Sequence, residues 1–214
     1  MKKLVYGATL ALAVALSGTA FAQQKESIAH MNHVLKSWND TPDKMGLLET
    51  AEAEAAVAMK HIDLAMAKPG DLASIKLHLA HVVNALDPSV MAKGPGLGYG
   101  VKKAAAGAGA HIGFAAKAGD ASENVKLHAA HVSASTGNVV HWAGEAVTMA
   151  EGAKGQSSAA SALAEAKKVR GMLVRIVEGF DANKDGAVGW QEGEGGLAQA
   201  RQHMGFMAKG EADS

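Results

Sequence analysis

Apolar residues recur along most of this chain at the three- and four-residue spacing that places them on one face of an α-helix. No stretch shows sustained two-residue alternation of β-branched side chains, so strands are not expected. Turn-forming sequences such as Asp-Thr-Pro, Pro-Gly-Asp and Asp-Pro separate the periodic segments. We therefore predict an all-α protein. The periodic segments predict eight helices, near residues 25–38, 44–67, 72–86, 101–118, 122–134, 138–151, 158–180 and 190–208.

The chain also repeats itself with an offset of 50 residues. Residues 55–82 align without gaps to residues 105–132, and twelve of the 28 positions are identical. Each copy predicts a helical hairpin: a helix with one histidine, a turn that contains glycine, and a helix that carries K-L-H-x-A-H-V. The glycine-rich segment 94–100 separates the copies and fits no phosphate-binding fingerprint, so we interpret it as a flexible connector. The predicted fold is an antiparallel helical bundle built from two repeated helical hairpins.

Alanine-rich helices repeat easily by composition, but histidines do not, and the repeat retains three of them. In the first copy they are His61, His78 and His81. His61 and His78 each lie eight residues from the turn, about 12 Å along their helices, so an antiparallel hairpin brings them level. His78 and His81 share one helix face because they are three residues apart. The second copy places His111, His128 and His131 in the same way.

The six repeated histidines are candidate metal ligands within one bundle. Imidazole suits Cu²⁺, Zn²⁺ and Ni²⁺, and the affinity order for divalent metals puts Cu²⁺ highest. The competing interpretation is that these are idle surface histidines inherited by duplication. Three further candidate ligands lie outside the repeat, namely His30, His33 and His141. His203 is interpreted as a surface residue.

Repeated histidines on short antiparallel helices, behind an export signal and without cysteine, resemble the small metal-binding proteins of the bacterial periplasm. The resemblance is one of pattern and covers about residues 30–142. It implies a His-rich four-helix bundle that takes up divalent metals, copper included. This chain is longer and has fewer histidines per helix, which favours one or two defined sites over a high metal capacity.

A second motif, D-A-N-K-D-G-A-V-G-W-Q-E, occupies residues 181–192. It has oxygen ligands at the positions that bind Ca²⁺ in a twelve-residue loop, and Gly186 at the sixth position, where the backbone turns sharply. The motif resembles the EF-hand family, and with its flanks the resemblance covers roughly residues 160–210. It implies a single helix–loop–helix EF-hand after the bundle. The expected calcium ligands are Asp181, Asn183, Asp185, the carbonyl of Ala187, and Glu192 as the bidentate ligand.

Residues 1–22 are typical of a secretory signal peptide, with Lys2 and Lys3 followed by an apolar run and an Ala-Phe-Ala cleavage site. We therefore expect a periplasmic or secreted protein with a histidine-bearing bundle at 23–155 and an EF-hand segment at 156–214. Without Lys2 and Lys3, 19 basic residues remain against 21 acidic ones, which argues against nucleic acid as a partner. The absence of cysteine excludes disulfides and thiolate metal sites. No later apolar segment is long enough to span a membrane.

The resulting prediction is an exported metal-binding protein that sequesters or buffers metal ions. It would bind Ca²⁺ at the EF-hand and a divalent transition metal at the bundle histidines, without acting as an enzyme. Because EF-hands usually occur in pairs, the single EF-hand suggests homodimerisation through it. Two alternatives stay open: a calcium-responsive interaction module whose histidines are incidental, and a protein that holds haem non-covalently or a redox metal.

Overall fold

A computed structural model describes residues 25–213 and confirms the all-α class. Between these residues the chain forms seven α-helices and one short 3₁₀ turn at Pro42–Lys44, and it contains no strand. The predicted signal peptide lies outside the described residues. Within the part of the chain that the structure describes, no helix is both long and apolar enough to cross a membrane. The helices are α1 Glu26–Leu35, α2 Leu47–Ala67, α3 Leu72–Leu86, α4 Val101–Lys117, α5 Glu123–Lys154, α6 Ala159–Glu178 and α7 Leu197–Ala212.

The helices bury a shared core in which small side chains dominate. α5 is the longest helix and packs against α3, α4, α6 and α7, while α2 packs against α3, α4 and α6. Alanine supplies many of the fully buried positions, and leucine, isoleucine and valine supply most of the others. Because alanine has no bulk beyond Cβ, helix axes can approach closely, although each such residue buries little apolar area. The histidine-bearing helices are therefore packed tightly together.

The glycine-rich segment 94–100 is bound to the bundle, contrary to its interpretation as a flexible connector. Glu54 on α2 is fully buried, and its carboxylate accepts hydrogen bonds from the backbone N–H groups of Leu97, Tyr99 and Gly100. Asn84 on α3 accepts a further hydrogen bond from the N–H of Gly96. A carboxylate that receives three N–H donors is well compensated for its burial. The segment is thus part of the rigid framework that sets the start of α4.

Two predicted helix boundaries were wrong. The break expected at Thr136-Gly137 does not occur, and α5 continues through Gly137. The hydroxyl of Thr136 donates a hydrogen bond to the carbonyl of Val132 within the same helix, so it does not compete with the helical backbone. One glycine inside a long, well-packed helix costs only about 1 kcal/mol. The last helix begins at Leu197, not near residue 190.

The late start of α7 has a local cause. Asn138 on α5 donates to the carbonyls of Gln191 and Gly195 and accepts from the N–H of Gly193, so these groups are engaged before a helix could use them. Gly193 also has a φ of 83°, a left-handed conformation that is incompatible with a helix interior. The segment between the predicted calcium loop and α7 is therefore an anchored strap against α5.

Candidate metal centres

Nine of the ten histidines lie in three groups of three. We name them by position: the hairpin triad His61, His78 and His81; the N-terminal triad His30, His33 and His111; and the C-terminal triad His128, His131 and His203. In each triad, one ligand nitrogen from every histidine lies within 4.8 Å of the other two. Among residues 25–213, these are the three groups of at least three His, Cys, Asp or Glu side chains that converge so closely.

The hairpin triad joins α2 and α3, as the level positions of His61 and His78 predicted. The Nδ1 atoms of these two residues are 3.0 Å apart, and Nδ1 of His81 is 3.2 Å from that of His61. A four-residue turn connects the two helices, and Asp71 caps α3 by accepting the N–H of Ser74. We call His61 the shared histidine of this triad, because its Nδ1 atom is close to those of both other members. It is 9% exposed and lies at the base of the site.

The N-terminal triad pairs His111 with α1 instead of with the second copy's own α5. Nδ1 of His111 is 3.0 Å from Nδ1 of His30 and 3.3 Å from that of His33. The α4–α5 turn contacts the start of α1: Asp120 accepts the backbone N–H of Ser27 with a 3.0 Å hydrogen bond. The end of α4 therefore lies beside the start of α1, so the two helices are antiparallel.

The C-terminal triad replaces the expected partnership of His128 and His131 with His111. Nδ1 of His203 on α7 is 3.1 Å from Nδ1 of His128 and 3.3 Å from that of His131. The side chain of Asn124, near the start of α5, donates to the carbonyl of Met207, so the two helices are antiparallel. The structure therefore makes His203 a member of a triad, not an isolated surface residue.

The three triads share one plan. One helix carries H-x-x-H-V and its antiparallel partner carries a single histidine followed by Ile or Met. The valines Val34, Val82 and Val132 and the residues Ile62, Ile112 and Met204 are all fully buried. Because the residue after each histidine is anchored in the core, the histidine itself lies at the edge of the core and faces the neighbouring helix. The same local sequence thus produces the same site three times.

The missed His203 has a sequence signal of its own. Residues 203–209 read H-M-G-F-M-A-K, and residues 111–117 read H-I-G-F-A-A-K. His30 and His33 likewise belong to H-M-N-H-V, which matches H-L-A-H-V and H-A-A-H-V in the two recognised copies. The fifty-residue repeat is therefore part of a longer series in which each of the two motifs occurs three times.

The spacing of the Nδ1 atoms fits a shared metal ion. A histidine nitrogen binds Zn²⁺ at about 2.0–2.1 Å, so two such ligands lie about 2.9 Å apart at a right angle and about 3.4 Å apart at the tetrahedral angle. All six measured Nδ1 separations fall between these limits, at 3.0 to 3.3 Å. In each triad the Nδ1 atom of one histidine is close to the Nδ1 atoms of both others. A single proton on that atom can form a good hydrogen bond with only one of them. A metal ion would use the lone pairs of all three atoms.

Burial and mutual repulsion keep most triad imidazoles neutral. Desolvation, with a contribution from the neighbouring histidines, lowers the pKa of His111 and of His203 to about 4. Desolvation also lowers the pKa values of five further triad members, His33, His61, His81, His128 and His131. A neutral imidazole has the free lone pair that metal binding requires. His141 lies outside every triad; it is exposed, and its Nε2 atom is 3.4 Å from a carboxylate oxygen of Glu145.

The predicted calcium loop is organised by its own acidic side chains. Asp181 accepts the N–H groups of Asp185 and Gly186, and Asn183 accepts that of Asp185 as well. The N–H of Ala187 donates to Asp185. These hydrogen bonds fold the first half of the loop around its own side-chain oxygens. Within the described residues, the carboxylates of the loop do not converge as closely as the histidines of the triads do.

The end of the loop differs from the EF-hand pattern. Glu192, the expected bidentate ligand, is exposed and lines a surface depression together with Asn138 and His141 of α5. The carboxylate that faces the loop is that of Glu194, which is 4% exposed and accepts the N–H groups of Asn183 and Gly189. The sequence pattern gave no reason to single out Glu194, because it lies beyond the twelfth loop position.

Comparison with known proteins gave no match: no family model, no curated protein and no solved structure matches this chain. The geometry alone defines the class, an all-helical protein with three three-histidine groups that could each hold a metal ion.

Proposed function

We propose that this is an exported metal-binding protein that holds divalent transition metal ions at its three histidine triads. The observation that carries the proposal occurs three times, in different pairs of helices: the Nδ1 atom of one histidine lies 3.0 to 3.3 Å from the Nδ1 atoms of two others. Idle surface histidines have no reason to converge in this way. A binding role, such as sequestration or buffering, requires no reaction on a substrate.

The chemistry of the triads favours borderline metals. Three imidazoles without a thiolate or a carboxylate suit Zn²⁺, Ni²⁺ and above all Cu²⁺, whereas Ca²⁺ and Mg²⁺ prefer oxygen ligands. Three protein ligands leave at least one coordination position for water or for a ligand from an acceptor. A site of this kind can release its ion by ligand exchange, which suits buffering better than permanent structural binding does.

The test is calorimetric titration of the mature chain with Cu²⁺, Zn²⁺ and Ni²⁺. We expect up to three equivalents of the preferred metal, and each substitution His61→Ala, His111→Ala or His203→Ala should remove one. His141→Ala is the matched control, because it deletes a histidine outside the triads and should leave the stoichiometry unchanged. Retention of all three equivalents after the three triad substitutions together would refute the proposal.

We also propose that the loop at residues 181–192 binds Ca²⁺ through Asp181, Asn183, Asp185, the carbonyl of Ala187 and a closing glutamate. Two observations support this proposal. The ligand residues occur at the loop positions that bind Ca²⁺ in an EF-hand, and Asp181, Asn183 and Asp185 accept hydrogen bonds from backbone N–H groups of the loop. The closing glutamate is Glu192 by the EF-hand pattern and Glu194 by burial. Calcium titrations of Asp181→Ala, Glu192→Gln and Glu194→Gln separate these assignments, and unchanged affinity in all three variants would exclude the loop as a calcium site.

Export is proposed from the sequence of residues 1–22. Expression of the full chain in a bacterium, followed by fractionation and determination of the mature N-terminus, tests it. We expect the protein outside the cytoplasm, cleaved after Ala22. A full-length cytoplasmic product would contradict the proposal and would move the metal sites to a compartment with far less free copper.

A further inference from the structure

The N-terminal triad lies between two aromatic side chains. The ring of Phe114 is 5.4 Å from that of His30 and 5.8 Å from that of His111, measured between centroids. The ring of Trp38 lies 4.7 Å from that of His33 and 4.4 Å from that of His111. Every imidazole of this triad therefore contacts an aromatic ring outside the triad.

The C-terminal triad has the same pair of neighbours. The ring of Phe206 is 5.6 Å from that of His128 and 5.7 Å from that of His203. Trp190 stacks on His131 with a centroid distance of 3.9 Å and an angle of 23° between the ring planes. In both triads, phenylalanine thus covers the first histidine of H-x-x-H and the shared histidine, while tryptophan covers the second histidine of H-x-x-H.

The two tryptophans reach these equivalent places from unrelated parts of the chain. Phe114 and Phe206 correspond by sequence, each three residues after its shared histidine. Trp38 follows the end of α1, however, whereas Trp190 belongs to the predicted calcium loop ahead of α7. Inheritance by duplication explains the phenylalanines but not the tryptophans. The recurrence of the pair indicates that the aromatic contacts serve the sites.

The hairpin triad lacks this pair. The residue three positions after its shared histidine is Leu64, and within residues 25–213 its imidazoles make ring contacts only with one another. Its Nδ1 separations, 3.0 and 3.2 Å, nevertheless match those of the other two triads. In each of the three sites one Nδ1 atom therefore lies at a similar distance from two others, and the sites differ in what surrounds the rings.

Aromatic packing affects affinity through the cost of ordering the ligands. An imidazole held by a neighbouring ring loses less rotational freedom when a metal binds, and outer-shell contacts of this kind hold ligands in their binding orientation. A paired aromatic ring contributes a factor of about 2 to 10 beyond its buried area. Leu64 offers no comparable ring contact.

We propose that the flanking Phe–Trp pairs make the N-terminal and C-terminal triads the tight metal sites and leave the hairpin triad as a weaker one. The inference rests on the proposed function and assigns a rank to its three sites. Phe114, Trp38, Phe206 and Trp190 are positioning residues, since they touch the ligands and not the metal. The protein then has two sites that fill first and one that responds at higher metal concentration.

The rank is measured in chains that keep one triad each. Replacing two of the three shared histidines His61, His111 and His203 by alanine leaves a single intact triad, and the three double variants are compared by Zn²⁺ titration against a chelator of known affinity. We expect the hairpin triad to bind the most weakly, by about 2- to 10-fold for each aromatic side chain that it lacks. Absence of binding in all three would refute the proposed function and the rank together, whereas equal affinities would refute only the rank.

The pseudo-repeat supplies the matched substitutions. Phe114→Leu in the chain that keeps only the N-terminal triad should weaken Zn²⁺ binding by about 2- to 10-fold, and Leu64→Phe should strengthen the hairpin triad by a similar factor. Phe114→Tyr keeps an aromatic ring at this position and should therefore retain the Zn²⁺ affinity that Phe114→Leu loses. Phe114 and Leu64 are 51% and 38% exposed, so these changes leave the core intact.

A spectroscopic readout separates positioning from general stability. Co²⁺ replaces Zn²⁺ and its visible absorption reports the ligand geometry. We expect a broader and weaker band for Phe114→Leu than for Phe114→Tyr, at unchanged helicity by circular dichroism. If Phe114→Leu leaves both the Zn²⁺ affinity and the Co²⁺ band unchanged, the proposed role of the aromatic pairs is wrong.

Discussion

The hairpin triad and the two terminal triads contain the same three ligands but close very different lengths of chain. Nδ1 of His61 meets residues 17 and 20 positions away, whereas His111 meets residues 81 and 78 positions away. His203 meets partners 75 and 72 positions away. A metal ion bound at the hairpin triad would add a link within a hairpin that a short turn already closes. A metal ion bound at either of the other two would connect α1 or α7 to the middle of the chain.

Metal binding to three histidines would therefore have different structural effects at the hairpin triad and at the other two triads. α1 has only ten residues, too few for a stable isolated helix in water, so its order depends on docking. Docking rests on the burial of Met31 and Val34 and on the hydrogen bond from Ser27 to Asp120. A metal ion at the N-terminal triad adds two ligand bonds from α1. Metal binding should therefore stabilise the ends of the chain more than its centre.

The largest expected effect is metal-dependent protection of α1 and α7 from amide hydrogen exchange. At a free metal concentration 100 times the dissociation constant, one site stabilises the state that binds it by about 2.7 kcal/mol, which is about a 100-fold slowing of exchange. We expect this slowing in α1 and α7 and a smaller one in α2 and α3. Exchange followed by mass spectrometry, with Zn²⁺ and with a chelator, measures it by segment.

Two substitutions make this comparison strict. His111→Ala should abolish the metal-dependent protection of α1 and spare α7, and His203→Ala should do the reverse. His61→Ala should leave the metal response of both terminal helices in place. Equal protection of all helices by metal, or loss of protection in α1 when His61 is replaced, would show that the triads do not act on their own helices.

The hairpin triad could be predicted from the sequence, whereas the histidine partners in the other two triads could not. The hairpin triad follows from helix geometry, because equal distances from one short turn bring His61 and His78 level. The partner of His111 does not follow, since H-x-x-H-V occurs three times and local pattern cannot choose among the copies. The choice depends on the tertiary docking of α1, through its buried side chains and the hydrogen bond from Ser27 to Asp120, which the local pattern does not specify.

The helices themselves were predictable from apolar periodicity, and the errors occurred where side chains override local signals. Thr136-Gly137 looks like a helix end but lies in the middle of α5, where buried neighbours on both sides keep the helix continuous. The stretch before α7 looks like a helix but is held by Asn138, a residue about 55 positions away. His203, in contrast, was within reach of sequence comparison, because H-M-G-F matches H-I-G-F.

A smaller effect is expected from the contact that docks α1. Asp120→Ala removes the acceptor for the N–H of Ser27 and should weaken metal binding at the N-terminal triad by a factor of about five, the effect typical of a lost helix cap. Asp71→Ala is the matched control, because it removes a cap from α3, which the hairpin turn holds in place anyway. Zn²⁺ titration of the chains that keep one triad measures both effects. Equal losses at the two triads would contradict the distinction between local and long-range closure.

The smallest expected effect is a pH dependence of stability in the metal-free protein, because His111 and His203 are partly exposed and solvent screening reduces the stability that their pKa shifts represent. The folded state lowers the pKa of His111 and of His203 to about 4, whereas a histidine in the unfolded chain titrates near 6.5. Between these values the unfolded state binds more protons, so acidification favours unfolding. The stability that these two histidines contribute is therefore fully present above about pH 6.5 and is lost as the pH falls towards 4.

Urea denaturation of chelator-treated protein between pH 7.5 and 4 measures this loss. His111→Ala and His203→Ala should each flatten the curve, because each removes one histidine that the folded state keeps neutral. His61→Ala should flatten it to a smaller extent, since its pKa is lowered as well, and His141→Ala controls for the deletion of a histidine outside the triads. A curve that is flat in the parent protein, or unaltered by His111→Ala, would mean that the converging imidazoles are not kept neutral by the fold. In that case the terminal triads would lose the feature that prepares them for metal.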